Sequence, residues 1–132
     1  MRILLIEDGH WDAGAIAHRL DSLGLWALRV KTIPEAIEKI ESGLTFAGVI
    51  TDVFECENNA LTFIDWVNDH WEDHPPILVH GVNDMFEDFD LNSLNFHTSN
   101  KVTFAKKALV MRGDNNKNYR YLEKFVDTLT LA

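Results

Sequence analysis

An apolar run that ends on a carboxylate constrains this chain more than any other feature. Residues 46–52 read Phe-Ala-Gly-Val-Ile-Thr-Asp, and an earlier apolar run over residues 3–6 leads directly into Glu7 and Asp8. Continuously apolar strands are typical of a parallel sheet that is covered on both faces. Such sheets bind ligands beyond the carboxyl ends of their strands, so both runs place acids where chemistry is expected.

If the two strands are neighbours, Glu7, Asp8 and Asp52 converge at one edge of the sheet. Three clustered carboxylates repel one another unless a cation compensates their charge, and hard oxygen ligands of this kind favour Mg²⁺. We therefore predict a divalent-cation site at this edge. Taken alone, Glu7 and Asp8 would also suit the positive amino terminus of a following helix, and Asp52 would suit a turn or a helix cap.

The bulk composition excludes several classes of protein. A length of 132 residues with 46% hydrophobic and 25% charged residues predicts one globular domain, residues 1–132. The formal net charge of -9 argues against direct binding of nucleic acid. The chain shows neither a membrane-spanning run nor a leader peptide, and its single cysteine, Cys56, fits a reducing compartment. We therefore expect a cytoplasmic protein without membrane contact.

The charges are unevenly distributed along the chain. No Lys or Arg occurs between residues 40 and 100, whereas basic residues recur after residue 100. A solvated acidic surface explains this pattern, and docking of the basic C-terminal third onto an acidic partner is the alternative.

The first half of the chain alternates strand and helix patterns. Residues 2–6 form the first predicted strand, and apolar residues at helical spacing over residues 13–23 predict a helix that Gly24 ends. Trp26, Leu28 and Val30 alternate with other residues, which predicts an edge strand with one buried face. Residues 32–35, Thr-Ile-Pro-Glu, form a capping box before a second helix that ends at Gly43.

The second half repeats the alternation. Asn58 and Asn59 are candidate caps for a third helix, whose buried stripe is Ala60, Phe63, Ile64, Val67 and Trp71. A fourth strand follows over residues 77–79, then a short or irregular helix within residues 83–100, a fifth strand over residues 102–106 and a polar loop over residues 112–118. The last helix has a clear apolar stripe, Leu122, Phe125, Val126 and Leu129.

This element order predicts an α/β fold of the flavodoxin-like (βα)5 type. Strands that alternate with helices form a parallel sheet with right-handed crossovers, and the helices cover both faces in a three-layer sandwich. With the second strand at the edge, the five-stranded sheet takes the order 2-1-3-4-5. That order places strands 1 and 3 side by side, as the predicted acidic cluster requires.

At this point the chain resembles the receiver domain of two-component response regulators, CheY-like proteins. The resemblance covers nearly the whole chain and depends on four features. They are the acidic pair Glu7-Asp8, Asp52 with the 60–64 segment after it, the Phe-Ala-Lys-Lys run over residues 104–107, and the 32–40 helix segment.

The resemblance implies a role for each matching residue. Asp52 is the expected phosphoacceptor, and Glu7, Asp8, Asp52 and the backbone carbonyl of Phe54 are the expected Mg²⁺ ligands. Lys107 is expected to pair with the acyl phosphate, since alignment on the aromatic residue favours it over Lys106. The expected switch aromatic is Phe104, which reports phosphorylation to the face formed by the helix within residues 83–100, the fifth strand and the last helix.

The chain also departs from the family pattern. Where the family has Thr or Ser at the end of the fourth strand, this chain has His80 or Gly81, depending on the alignment of Pro75-Pro76. Ala108 stands where a proline usually follows the lysine. These differences affect the switch more than the fold.

The resemblance implies a stand-alone receiver, without an attached output domain, in a two-component phosphorelay. It is not expected to be an enzyme beyond self-catalysed phosphoryl transfer and autodephosphorylation. Expected partners are a histidine kinase or phosphotransfer protein and a downstream protein, and a homodimer is compatible with this prediction. The alternative is a pseudo-receiver that binds a protein without phosphorylation, which the missing Thr or Ser favours.

Other functions fit the sequence less well. A Mg²⁺-dependent phosphatase lacks a second acid two residues after Asp52, where Phe54 stands, and the acidic loop after the first strand repels the phosphate of FMN. His70 and His74 have a zinc-compatible spacing but no further ligands, and Cys56 has no evident histidine partner. Trp11 and Trp66 belong either to the core or to a partner surface.

Overall fold

Five parallel strands form a central sheet that lies between two layers of helices. The computed structural model describes residues 1–52, 60–81, 102–106 and 120–130. Its strands are β1 (Arg2–Ile6), β2 (Trp26–Val30), β3 (Gly48–Asp52), β4 (Ile77–Gly81) and β5 (Val102–Lys106). They are arranged in the order β2-β1-β3-β4-β5, which confirms the predicted topology.

Helices cover both faces of this sheet. They are α1 (His10–Ser22), α2 (Ile33–Glu41), α3 (Ala60–His70) and α4 (Arg120–Thr130). One buried cluster joins α2 and α3 to the face of the sheet that carries Leu4 and Val49, and a second joins α1 and α4 to the face that carries Leu5 and Ile50. The structure is therefore the three-layer sandwich that the sequence predicts.

Local signals begin and end the helices as the sequence predicts. Gly24 and Gly43 follow α1 and α2 with φ angles of 83° and 93°, a region that glycine adopts without strain. At the start of α2, the Thr32 hydroxyl accepts a hydrogen bond from the Glu35 amide at 3.3 Å. The Glu35 carboxylate accepts one from the Lys31 amide at 3.2 Å, which closes the capping box one residue earlier than in the standard motif.

The predicted buried stripes of α3 and α4 are confirmed except at Trp71, which follows the end of α3 and is half-buried against the core. Ala60, Phe63, Ile64 and Val67 of α3 are buried, as are all four residues predicted for the last helix. Gly48, the first residue of β3, permits close packing of α4, because a Cβ at Gly48 would lie 3.0 Å from side-chain atoms of Leu129 and Phe125.

Three strand predictions need correction. The alternation in β2 predicts that Trp26 is buried, but its side chain is 59% exposed, and Leu28 and Ala27 are half-buried on opposite faces. As an edge strand, β2 is only partly covered on either side. The strand predicted from residue 46 begins at Gly48, and the fourth strand extends two residues beyond the predicted end, to Gly81.

Some predicted elements lie outside the described residues. They are the Asn58-Asn59 cap, the helix within residues 83–100 and the polar loop over residues 112–118. Within the described ranges, no helix has the length and apolar character needed to cross a membrane.

Candidate functional site

Three acids meet at the carboxyl edge of the sheet. Glu7, Asp8 and Asp52 each offer a carboxylate oxygen, and these oxygens all lie within 4.8 Å of one another. Glu7 is 1% exposed and Asp52 is 7% exposed, whereas Asp8 faces solvent. Among the described residues, this is the only group of three or more potential metal ligands. The predicted acidic cluster is therefore present, with two buried members and one exposed member.

The pairing of β1 with β3 brings these acids together. The parallel register matches Leu5 with Ile50 and Ile6 with Thr51, so the residue after β1 comes alongside the end of β3. The Glu7 amide also donates to the Val30 carbonyl at 3.0 Å, which extends the pairing with β2 by one residue. Glu7 is thereby held by the sheet although it lies beyond β1.

The Glu7-Asp8 segment also leads into a helix. Gly9 is the N-cap of α1, and its carbonyl accepts the first helical hydrogen bond from the Ala13 amide at 2.9 Å. Since the amino terminus of a helix carries partial positive charge, α1 stabilises the two acids that precede it. This interaction accounts for Glu7 and Asp8 but leaves the convergence with Asp52 unexplained.

The donor set fits a small hard cation. Ligand oxygens on one Mg²⁺ lie at about 2.1 Å from the ion and hence no more than about 4.2 Å from each other. The carboxylate oxygens of the cluster, within 4.8 Å of one another, need to close only slightly to meet that geometry. Asp8 at the surface leaves room for water molecules, which Mg²⁺ retains in most protein sites.

Arg29 contacts the Glu7-Asp8 segment, a role that the sequence pattern did not predict. It lies on β2 opposite Leu5, is half-buried, and donates from Nε to the Glu7 carbonyl at 2.9 Å and from its terminal nitrogen to the Asp8 carbonyl at 3.1 Å. Both contacts are to backbone atoms, which leave no signature in the sequence. The alternation of β2 marks Arg29 only as a polar residue of an edge strand.

His80 lies next to Asp52 on the neighbouring strand. The register of β3 with β4 matches Asp52 with His80, and residues matched in a parallel pair point to the same face of the sheet. The matched pair two residues earlier, Ile50 and Leu78, points to the same face and is buried in one cluster, which identifies this face as the one covered by α1 and α4. His80 is fully buried, and Gly81 ends the strand, so neither position supplies a hydroxyl.

Other predicted site residues are described only in part. Phe104 pairs with Val79 in the β4–β5 ladder, and Lys106 pairs with Gly81 at its end. The side chains of Phe104 and Lys106 lie outside the described part of the structure. Phe54 and Lys107 lie outside it entirely, so their roles stay predictions.

His70 and His74, the two histidines with zinc-compatible spacing, lie in different surroundings. His70 is exposed, and its ring stacks on that of Trp66 with 5.2 Å between the ring centres. Its Nδ1 atom lies 3.1 Å from the Trp66 carbonyl oxygen. His74 is buried, with Nδ1 at 2.7 Å from the Pro75 carbonyl. Trp66 is half-buried and packs against the core cluster on the α2–α3 face. Cys56 and the Trp11 side chain lie outside the described residues.

Of the comparisons with known proteins, the one with solved structures finds matches. No protein-family profile and no curated protein sequence matches this chain. Among solved structures, it is similar to a response regulator receiver protein from Sinorhizobium medicae, with a TM-score of 0.76 and 18% identity over 100% of this chain and 95% of the other. It is also similar to a receiver domain (CheY-like) from Methylobacillus flagellatus, with a TM-score of 0.72 and 15% identity over 98% of both chains.

A third similar structure carries a ligand. The response regulator TrrA from Thermotoga maritima in complex with Mg²⁺-BeF matches with a TM-score of 0.73 and 17% identity over 97% of both chains. A chain from the complex of the histidine kinase ThkA with TrrA matches with a TM-score of 0.72 and 17% identity, again over 97% of both chains. This chain therefore has the fold of the CheY-like receiver domains of response regulators.

Proposed function

We propose that this protein is a phosphorylation-dependent receiver of a two-component system, with Asp52 as its phosphoacceptor. The observation that carries the proposal is the convergence of Glu7, Asp8 and Asp52 at the carboxyl edge of a receiver-type sheet. Like charges held close together, two of them buried, repel one another, and such clusters occur mainly where a bound cation or a reaction uses them. The fold alone does not supply this argument.

In the proposed reaction, a carboxylate oxygen of Asp52 attacks the phosphorus of a donor phosphohistidine. A new P–O bond forms, the P–N bond breaks, and the donor imidazole leaves with the electron pair. A bound Mg²⁺ supplies charge neutralisation that lets an anionic nucleophile approach an anionic phosphoryl group. Glu7, Asp8 and Asp52 would hold this ion, and the Phe54 carbonyl is a proposed further ligand.

The remaining roles are assigned from the position of each residue. His80, matched in register with Asp52 and fully buried, is proposed to replace the usual hydroxyl as a hydrogen-bond donor near the phosphoryl group. Lys107, which follows β5 directly, is proposed to pair with the acyl phosphate, and Phe104 to act as the switch aromatic. The domain is proposed to signal by protein contact rather than by an enzymatic activity of its own.

The proposed partners are a histidine kinase or a phosphotransfer protein, and a downstream protein. A histidine kinase partner is supported by the complex of ThkA with TrrA, one chain of which has this fold. The Mg²⁺-BeF complex of TrrA supports the choice of metal. A cytoplasmic location stays a prediction from the single cysteine.

Incubation with Mg²⁺ and acetyl phosphate, followed by intact mass measurement, tests the proposal. We expect one phosphoryl increment on the wild type and none on Asp52→Asn, which keeps the size of the side chain but removes the nucleophilic charge. Asp69→Asn makes the same chemical change at an exposed position of α3 and should be phosphorylated like the wild type. An increment on Asp52→Asn equal to that of the wild type would contradict the proposed acceptor.

The absence of a hydroxyl at the end of β4 favours one alternative, a pseudo-receiver that binds a partner without phosphorylation. His80 and Gly81 occupy both positions where the hydroxyl is expected. A wild type that binds no Mg²⁺ and takes up no phosphoryl group, from acetyl phosphate or from a phosphorylated histidine protein, would favour this alternative.

A further inference from the structure

We propose that Arg29 is a positioning residue that holds the Glu7-Asp8 segment in the geometry that binds the divalent cation. This inference rests on the proposed function, because it concerns the same acidic cluster. Its basis is the pair of hydrogen bonds from one guanidinium to two successive backbone carbonyls, at 2.9 Å to Glu7 and 3.1 Å to Asp8.

The geometry of this contact suits the planar guanidinium group of arginine. A guanidinium presents several N–H donors in fixed directions, so one side chain can bind two neighbouring acceptors with little loss of conformational freedom. Both acceptors here belong to residues that carry metal-binding carboxylates. With the two carbonyls fixed on the β2 side, the backbone between them cannot rotate freely, and the directions of the Glu7 and Asp8 side chains become restricted.

The location of Arg29 makes the contact specific to this segment. Arg29 pairs with Leu5 in the β1–β2 ladder, two residues before Glu7, and the ladder continues through Ile6 and Val30. The Glu7 amide donates to the Val30 carbonyl at 3.0 Å. Glu7 is therefore held by β2 at two points, since its amide donates to the Val30 carbonyl and its carbonyl accepts from Arg29. The Asp8 carbonyl is held by Arg29.

The charge of Arg29 and its positioning role predict opposite effects on metal affinity. A cation that contacts the Glu7-Asp8 segment repels a second cation bound there, so charge alone predicts that removal of Arg29 strengthens Mg²⁺ binding. Residues that orient metal ligands have the opposite effect, because their loss typically weakens metal affinity by about 10–100-fold. The sign of the change in affinity therefore distinguishes the two roles.

The test is a Mg²⁺ titration of the folded wild type, Arg29→Gln, Arg29→Lys and Lys31→Gln. We expect the dissociation constant to rise about tenfold in Arg29→Gln. Arg29→Lys keeps the positive charge but loses the planar guanidinium that binds both carbonyls, so its Mg²⁺ affinity should fall almost as far. Lys31 is exposed and lies two residues further along the chain, so Lys31→Gln reports the loss of a nearby charge alone and should bind Mg²⁺ equally or slightly more tightly.

Amide hydrogen exchange in the metal-free protein provides a second readout. Exchange of the Glu7 amide should accelerate about tenfold in Arg29→Gln, while the Ala47 amide, which donates to the Arg2 carbonyl at the other end of β1, should not change. A change in overall stability alone would accelerate both amides and leave the Mg²⁺ affinity of the folded protein unchanged.

The outcomes separate this inference from the proposed function. Unchanged or tighter Mg²⁺ binding by Arg29→Gln, with Asp52-dependent phosphorylation intact in the wild type, would overturn the role of Arg29 and leave the receiver function standing. A wild type without Mg²⁺ affinity would overturn both. Weaker binding by both Arg29 variants, together with the local change in exchange, would support the inference.

Discussion

The two ends of β1 carry opposite charges and place them in very different surroundings. At the amino end, the Arg2 guanidinium lies 5.1 Å from the centre of the Trp26 ring and 6.0 Å from that of Phe46. At the carboxyl end, Glu7 is buried with the carboxylates of Asp8 and Asp52 nearby. The cation is stabilised by aromatic faces within the fold, whereas the acids crowd one another.

This difference separates a structural contact from the proposed binding site. The amino end gains stability from its charged residue because the aromatic rings and the Thr45 carbonyl, 3.5 Å from Arg2, supply complementary electron density. The carboxyl end instead places three carboxylates close together, and a bound cation would relieve their mutual repulsion. Removal of charge at the two ends should therefore change stability in opposite directions.

The largest expected effect is at the carboxyl end. Asp52→Asn removes one negative charge from the cluster and therefore relieves Coulomb repulsion between the carboxylates. At the effective dielectric constant usual for proteins, we expect the unfolding free energy of the metal-free protein to rise by about 1 to 2 kcal/mol. Urea denaturation in EDTA measures this gain. Glu38→Gln, an exposed single-charge change on α2, should stay within about 0.5 kcal/mol of the wild type.

A loss of stability in Asp52→Asn equal to that of a typical buried polar substitution would contradict the comparison. It would mean that the Asp52 carboxylate contributes favourable contacts to the metal-free fold that exceed its repulsion by Glu7 and Asp8. The acidic cluster would then be explained as part of the folded structure.

A smaller effect of opposite sign is expected at the amino end. Arg2→Met keeps a long apolar stem and removes the cation, so it should cost about 0.5 to 1 kcal/mol through the lost cation–π contacts. The same urea experiment measures this loss, and Arg2→Lys should recover part of it. Mg²⁺ affinity should be unchanged in Arg2→Met, since Arg2 lies at the opposite end of the strand; a weakened affinity would show that the two ends are coupled.

Much of the fold follows from local patterns in the sequence. The continuously apolar β1 and β3 and the capping signals around α2 mark their own positions, because burial on both faces and helix initiation each require particular residue types. The prediction failed at Trp26, where alternation indicates a buried residue. Its ring is instead placed against Arg2 at the edge of the sheet, a contact between distant residues that periodicity does not encode.

The site was predictable to the extent that it depends on strand ends. Glu7 and Asp52 follow directly from apolar runs, so the topology alone brings them together. Arg29 was not predictable, because it acts on backbone carbonyls, which every residue has. The register that matches His80 rather than Gly81 with Asp52 also depends on the strand pairing, which Pro75-Pro76 leaves ambiguous in the sequence.

The most direct test of the proposed site is the dependence of unfolding free energy on Mg²⁺ concentration. A ligand that binds only the folded state stabilises it by about 2.7 kcal/mol at a hundred times its dissociation constant. We expect the unfolding free energy of the wild type to rise logarithmically with Mg²⁺ and that of Asp52→Asn to stay nearly flat. Equal slopes for the two proteins, or no dependence in the wild type, would contradict the assignment of the Glu7, Asp8 and Asp52 cluster as a cation site.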